Sequence, residues 1–225
     1  MTVVTRSQNG QGNGGPTADH EPEVAQVNIA RIEAETLLVP IKGTAPLIMH
    51  RFAEKSKRMM LDAQQGRRTP KQSRDPEAEY ESAFYRLDDG CYGFPTLAFK
   101  SATIGAARFY GKDVSMVGLR QFLFFTGEFN QSGDLLTPLD GDPRMREDVV
   151  RIGRGAAELR YRPEFPEWSA QLKVTYVTSA LTRDSVLSLI DAGGMGIGVG
   201  DWRPERKGAY GTYAVDSDTE IEVTR

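Results

Sequence analysis

The residues best equipped for chemistry crowd into one segment, Gly193-Gly-Met-Gly-Ile-Gly-Val-Gly-Asp-Trp-Arg-Pro-Glu-Arg-Lys-Gly-Ala-Tyr-Gly211. Glycine lets a backbone come close to another backbone or to a phosphate. Arg203 and Lys207 are cations suited to phosphates, and Tyr210 is a ring on which a base can stack. A dinucleotide loop or P-loop is excluded by order: those loops run from a strand into a helix, whereas this one leaves a helical pattern and enters a strand. Two readings stand, a loop packed on a neighbouring element and a loop in contact with a ligand.

A second feature lies between His50 and Arg74. Arg51, Lys55, Lys57, Arg58, Arg67, Arg68, Lys71 and Arg74 face only Glu54 and Asp62, a local charge of +6 in a chain of net charge −3. Such asymmetry marks either a solvated helix face or a partner surface. Its proline-containing part, Arg67 to Arg74, has no apolar residue to anchor it, and loops of that kind order on partners. A third group, Arg144, Arg146, Arg151, Arg154, Arg160 and Arg162, has Gly153 and Gly155 beside Arg154 and carboxylates close in sequence. Arginine forks suit phosphates and carboxylates alike, so phosphate contact and internal ion pairing both remain open.

Catalytic signals are thin. His50 is a general base only if a nucleophile or an orienting carboxylate lies beside it. The one cysteine, Cys91, excludes an internal disulfide and is expected to be a buried thiol, since free cysteine packs as a small hydrophobe. No His/Cys spacing suits a metal, Asp140 and Asp142 read as turn formers, and no cofactor is implied. No apolar run reaches the roughly 20 residues of a membrane helix, and no signal-peptide pattern opens the chain. A cytoplasmic protein with no membrane partner is expected.

These residues must be positioned by one domain. Residues 1–33 are polar and glycine-rich and read as a disordered tail; residues 34–225 read as a single α+β domain, with 52–90 a helical insertion. Thr36 to Ile41 reads as a strand. Phe52 to Gln65 reads as a helix burying Phe52, Met59, Met60 and Ala63 on one face. Asp75 caps a helix over Glu77 to Leu87, with Pro76 at its first position. Leu97 to Phe109 reads as a buried helix through Leu97, Ile104 and Phe109, and Arg120 to Phe129 as an aromatic strand. Val149 to Ile152 and Ala157 to Tyr161 flank Gly153-Arg154-Gly155, which reads as a hairpin or a loop between strands. Trp168 to Val177 alternates strictly, the mark of a half-buried strand. Thr182 caps a helix over Arg183 to Ala192, ended by Gly193-Gly194, and strands near Thr212–Val215 and Glu220–Val223 follow. Without insertions the order is βαββαβ, a ferredoxin-like or RRM-like core.

A core of this kind whose last helix is followed by a glycine-rich loop resembles the RAMP superfamily of CRISPR proteins. The insertion after the first strand and the buried helix around Phe99-Lys100 are similar to those of backbone subunits that line a guide RNA. The resemblance implies that Gly194 to Gly211 is the family's glycine-rich segment and that Lys100 and Arg108 lie on the first core helix. The chain also has the look of a phage-encoded single-strand binding or annealing factor.

The function expected is therefore a non-catalytic subunit that binds single-stranded nucleic acid along its backbone. Arg51, Lys55, Arg58, Arg67, Arg68, Lys71, Arg74, Lys100, Arg108, Arg154, Arg203, Lys207 and Tyr210 are the contact residues, and the chain acts as a homo-oligomer, even a filament, or within a larger complex. The alternatives are a phage-particle assembly protein without nucleic-acid contact and an endoribonuclease using His50. Because residues 1–30 offer no core residues, their deletion is expected to leave Tm unchanged in a thermal melt; a large drop would show that the segment docks.

Overall fold

Alternation decides the centre of the molecule. In the computed structural model, which describes residues 29–52, 54–67, 73–151 and 157–224, Trp168, Ala170, Leu172, Val174 and Tyr176 are buried, while Gln171 and Lys173 face outward. A period of two places one set on the core side of a sheet. The folded unit runs from Ile32 to Arg225; the tail expected over residues 1–33 lies outside the described residues up to residue 28.

Along the chain come β1 (Ala34–Gly43), β2 (Leu47–Ile48), α1 (Glu54–Gln64), α2 (Pro76–Ser82), β3 (Gly93–Pro95), α3 (Thr96–Gly105), α4 (Met116–Phe122), β4 (Leu123–Thr126) and β5 (Glu128–Phe129). Then follow β6 (Leu135–Asp140), β7 (Arg144–Arg151), β8 (Ala157–Phe165), β9 (Ser169–Val177), α5 (Arg183–Gly196), β10 (Tyr213–Val215) and β11 (Glu222–Thr224). This is a mixed α+β fold with antiparallel sheets. In the main sheet β1 lies between β9 on one side and β10 and β11 on the other, and β9 also pairs with β4 and β6. A second sheet has the order β2-β8-β7. The core lies between the main sheet and its helices: Leu37, Val39 and Ile41 of β1 and Leu172 and Val174 of β9 meet Phe99 of α3 and Val186 and Ile190 of α5.

Local signals set several boundaries. The Asp75 carboxylate accepts the Ala78 amide at 3.1 Å, and the Thr182 hydroxyl accepts that of Ser185 at 3.2 Å, each satisfying an otherwise orphaned donor of a first turn. Ser115 does the same for Gly118, so α4 takes residues expected to open an extended strand, and β4 begins only at Leu123.

Elsewhere the fold departs from expectation. Gly193 and Gly194 do not stop α5; they lie inside it. A Cβ on Gly193 would sit 2.7 Å from the Ala102 carbonyl, and one on Gly194 would sit 2.1 Å from that of Tyr213. Glycine here permits α3 and β10 to press against α5, and tertiary packing outweighs its poor helix propensity. The helix begun by Asp75 ends at Ser82, after which Phe84 and Leu87 are buried from an irregular segment. Leu97 and Phe109 are exposed, and the burial of α3 rests on Thr96, Phe99, Ala102, Thr103 and Ile104. Met59, Met60 and Leu61 of α1 are exposed as well, as is Phe52. Cys91 is exposed, held in the turn through its amide on Asp89. The Asp89 carboxylate pushes its thiol pKa upward, away from the reactive thiolate.

Leu172 is fully buried and Lys173 is not. Leu172→Ala is expected to cost about 2–5 kcal/mol and Lys173→Ala no more than about 0.5 kcal/mol in chemical denaturation, and equal costs would refute the register of β9.

Candidate nucleic-acid interface

After α5 the chain folds back on itself in a loop pinned at many points. The Val199 amide donates to the Gly211 carbonyl, Gly211 to Pro46, Asp201 to Ile48, Glu205 to Ile197 and Tyr210 to Trp202, all between 2.8 and 3.2 Å. Gly208 lies so close to Trp202 that a Cβ would stand 1.6 Å from the Trp202 carbonyl oxygen. Two non-glycine residues carry positive φ among the described residues, Trp202 at 53° and Lys207 at 64°. Such conformations are uncommon for non-glycine residues and persist where the surroundings over-determine them.

Beneath the loop runs a chain of charges. One Asp201 oxygen lies 3.3 Å from His50 Nδ1 and also accepts from Arg162 Nη1. Arg162 Nη2 donates to Asp148 at 2.8 Å, Asp148 accepts Arg146 Nε at 2.8 Å, and Arg146 Nη1 donates to Glu164 at 3.0 Å and to the Tyr210 hydroxyl at 3.2 Å. Arg144 completes the chain on Glu164 at 2.7 Å. Arg162, Asp148 and Glu164 are buried. Arg146 also lies over the rings of Trp202 and Tyr210, at 5.2 and 5.0 Å, and Arg162 over Trp202 at 5.0 Å, within range of cation–π attraction. Burial disfavours the Asp201 carboxylate, but His50 and then Arg162 outweigh it and hold its pKa below the usual value.

The expected contact residues fall into separate places. Arg203 donates to Glu205 at 2.8 Å and to the Gly200 carbonyl at 3.1 Å; Arg108 reaches the same Glu205 at 3.8 Å. Lys207 is exposed, and Tyr210 is half-buried against Arg146. Arg203, Lys207 and Tyr210 thus lie on one loop with exposed Arg206 and Trp202, and Arg108 meets that loop at Glu205. The others are elsewhere. Arg51 pairs with Asp134 at 3.2 Å. Arg74 pairs with Glu79 and Glu158 and donates to the Leu159 carbonyl of β8. Lys100 lies over the Phe124 ring at 5.6 Å. Arg58 projects from α1, and Arg67 is exposed near Asp62. Arg68, Lys71 and Arg154 lie outside the described residues, as does the side chain of Lys55. For Arg144, Arg146 and Arg162 the open question is answered by internal ion pairs. No group of three or more metal-ligating residues gathers among the described residues, and no described helix is long and apolar enough to cross a membrane.

Sequence reasoning passed over the pairing of His50, Asp201 and Arg162. The signal available was the alternation of cations and carboxylates in Arg144-Met-Arg-Glu-Asp148 and Arg160-Tyr-Arg-Pro-Glu164, which a hairpin register brings face to face. Trp202 lies at the surface with the guanidinium groups of Arg146 and Arg162 over its ring.

No family model and no curated protein matches the sequence. Among solved structures, the chain is similar to the crystal structure of Cmr6 from Pyrococcus furiosus, with a TM-score of 0.38 and 10% identity, covering 84% of this chain and 100% of that one. It is also similar to a chain in the cryo-EM structure of the Type III-B Cmr-beta complex bound to cognate target RNA, with a TM-score of 0.44 and 12% identity, covering 85% of this chain and 61% of that one. Neither likeness is close enough to carry over the role of a residue.

Because the Asp201 pKa is lower folded than in the unfolded chain, where aspartate titrates near about 3.9, its ionised form stabilises the fold. That contribution is complete above about pH 4 and is lost as pH falls through the lower folded value. Asp201→Asn is therefore expected to lower Tm at pH 7 and to flatten its fall between pH 4 and pH 2; acid limbs that coincide in the two proteins would show that Asp201 does not hold the loop.

Proposed function

We propose that this protein is a non-catalytic nucleic-acid-binding subunit that receives a single strand on the rim of the loop between α5 and β10. One observation carries the reading: the strained backbone at Trp202 and Lys207 holds a ring and a cation outward on a loop that is otherwise fixed. Strain of this kind collects at ligand-binding positions. Arg108 and Arg203 pair with Glu205, and Arg206 and Lys207 are exposed on the same loop as the Trp202 and Tyr210 rings. Cations track a phosphate backbone, and rings accept bases of any identity. A local site of this kind suits a chain whose overall charge is −3.

The order β10-β1-β9-β4, with α3 between β1 and β4 in the chain and α5 between β9 and β10, supports a ferredoxin-like core carrying this loop. His50 acts here as a positioning residue. Its Nδ1 faces a carboxylate already shared with buried Arg162, an arrangement that fastens the loop to β2.

The test is binding of labelled single-stranded RNA and DNA oligonucleotides across a salt series. Arg206→Ala with Lys207→Ala is expected to reduce the slope of log affinity against log salt by roughly one for each phosphate no longer neutralised. Tyr210→Ala is expected to cost roughly 1–3 kcal/mol if one base stacks there, and the oligonucleotides should be recovered intact. Unchanged affinity in both variants at preserved Tm would sink the reading; cleaved strands would overturn its non-catalytic part.

A further inference from the structure

Trp202 keeps one face of its ring free. The Arg146 and Arg162 guanidinium groups lie 5.2 and 5.0 Å from the ring centre. Asp148 binds both of them, taking Arg146 Nε on one oxygen and Arg162 Nη2 on the other, each at 2.8 Å. A single carboxylate cannot bridge two groups on opposite sides of an indole, so both cations lie beneath the same face. Tyr210, the one ring beside it among the described residues, stands 6.0 Å away at a tilt of 55°, too inclined to stack on the other face. Trp202 is 36% exposed, and its carbonyl is held by the Tyr210 amide.

The residue before this ring carries a carboxylate with one oxygen unused. Asp201 Oδ2 faces both His50 Nδ1 and Arg162 Nη1. Oδ1 accepts no hydrogen bond among the described residues, and the side chain is 36% exposed. The same buried Arg162 that holds Asp201 lies under Trp202, so ring and carboxylate are set side by side on one guanidinium. Against its burial, His50 and Arg162 keep the Asp201 pKa below the usual value, and the carboxylate is an anion at neutral pH. Stacking alone is indifferent to the base, since every base has a π-face. An ionised carboxylate is not indifferent, because it accepts hydrogen bonds and donates none.

We infer that Trp202 and Asp201 form a base-reading position selective for guanine, in which the base stacks on the free face of Trp202 and donates its N1–H and its N2 amino group to Asp201 Oδ1. Guanine is the base whose pairing edge offers two adjacent donors. Adenine and cytosine set an acceptor beside their one amino group, and uracil flanks its N3–H with two carbonyls, whose lone pairs an anion repels. Unpaired bases of a single strand expose these edges. His50 and Arg162 are positioning residues here: they aim the carboxylate and keep it charged. This selectivity rests on the reading of the loop as the seat of a single strand, and it adds one position at which the sequence of that strand matters.

The test is made first on the wild-type full chain, with the strand varied instead of the protein. Short RNA oligonucleotides alternate uridine with guanosine, inosine, 1-methylguanosine, adenosine or cytidine, and a plain uridine strand serves as reference, all at one salt concentration. The guanosine strand should bind roughly tenfold more tightly than the uridine strand, the effect of one discriminating base contact. Inosine, which lacks the N2 amino group, should fall between them, and 1-methylguanosine, which lacks N1–H, should lose the advantage. Of the two tryptophans, Trp168 is buried, so a base stacked on Trp202 should quench the tryptophan emission that responds to binding. Trp202→Ala should abolish that quenching and weaken every strand, whereas Asp201→Asn should erase the guanosine preference and keep both the quenching and the salt slope. Equal affinity for all strands at an unchanged salt slope, or a guanosine preference that survives N1 methylation or Asp201→Asn, would overturn the inference and leave the nucleic-acid reading standing. Failure of every strand to bind would overturn both.

Discussion

A buried guanidinium has to be paired, and much of the second half of this molecule is arranged around that requirement. Arg162 is 4% exposed on β8, and its two terminal nitrogens are met by carboxylates from different elements, Asp148 on β7 and Asp201 on the loop. Losing one partner of such a pair costs more than making it gains. The hairpin, the loop and, through His50, the end of β2 are thereby bound to a common geometry, whereas apolar packing alone would let a glycine-rich segment settle in several ways. Arg162 Nε has no hydrogen-bond partner among the described residues, so the arrangement is not optimised for stability alone.

The same network explains why so many arginines are unavailable to an outside phosphate. Glu164 takes Arg144 and Arg146, Asp148 takes Arg146 and Arg162, and the rings of Trp202 and Tyr210 cover the faces of Arg146 and Arg162. Arginine serves two ends here. Its fork satisfies carboxylates while its flat face supports a ring, so the buried charges also fix the orientation of the aromatic side chains above them. Arg206 and Lys207, by contrast, are exposed and make no ion pair among the described residues.

How much of this could be read from the chain alone depends on the range of the interaction involved. Asp75 and Thr182 cap helices through contacts three residues away, and β9 declares its faces through a period of two; both signals are local and complete in the sequence. The choice of the glycine-rich segment as the place to look, and of Lys207 and Tyr210 within it, rests on residue type, which is local too. What failed to show is long-range. Gly193 looks like a helix stop until Ala102 is brought against it. Met59 and Met60 look like core, but α1 leaves both exposed. Cys91 has the chemistry of a buried residue, but the Asp-Asp-Gly turn before it sets it at the surface. Whether Arg203 meets a phosphate or Glu205 is likewise decided only when the loop closes.

Charge follows the same division between local and distant. A chain of net charge −3 is a poor polyanion binder as a whole, since its average field repels phosphates, and local patches act only within about a Debye length, roughly 8 Å at physiological salt. Separating cations at α1 and at the loop rim from carboxylates along the β1–β11 margin gives each surface its own sign without making the molecule strongly basic.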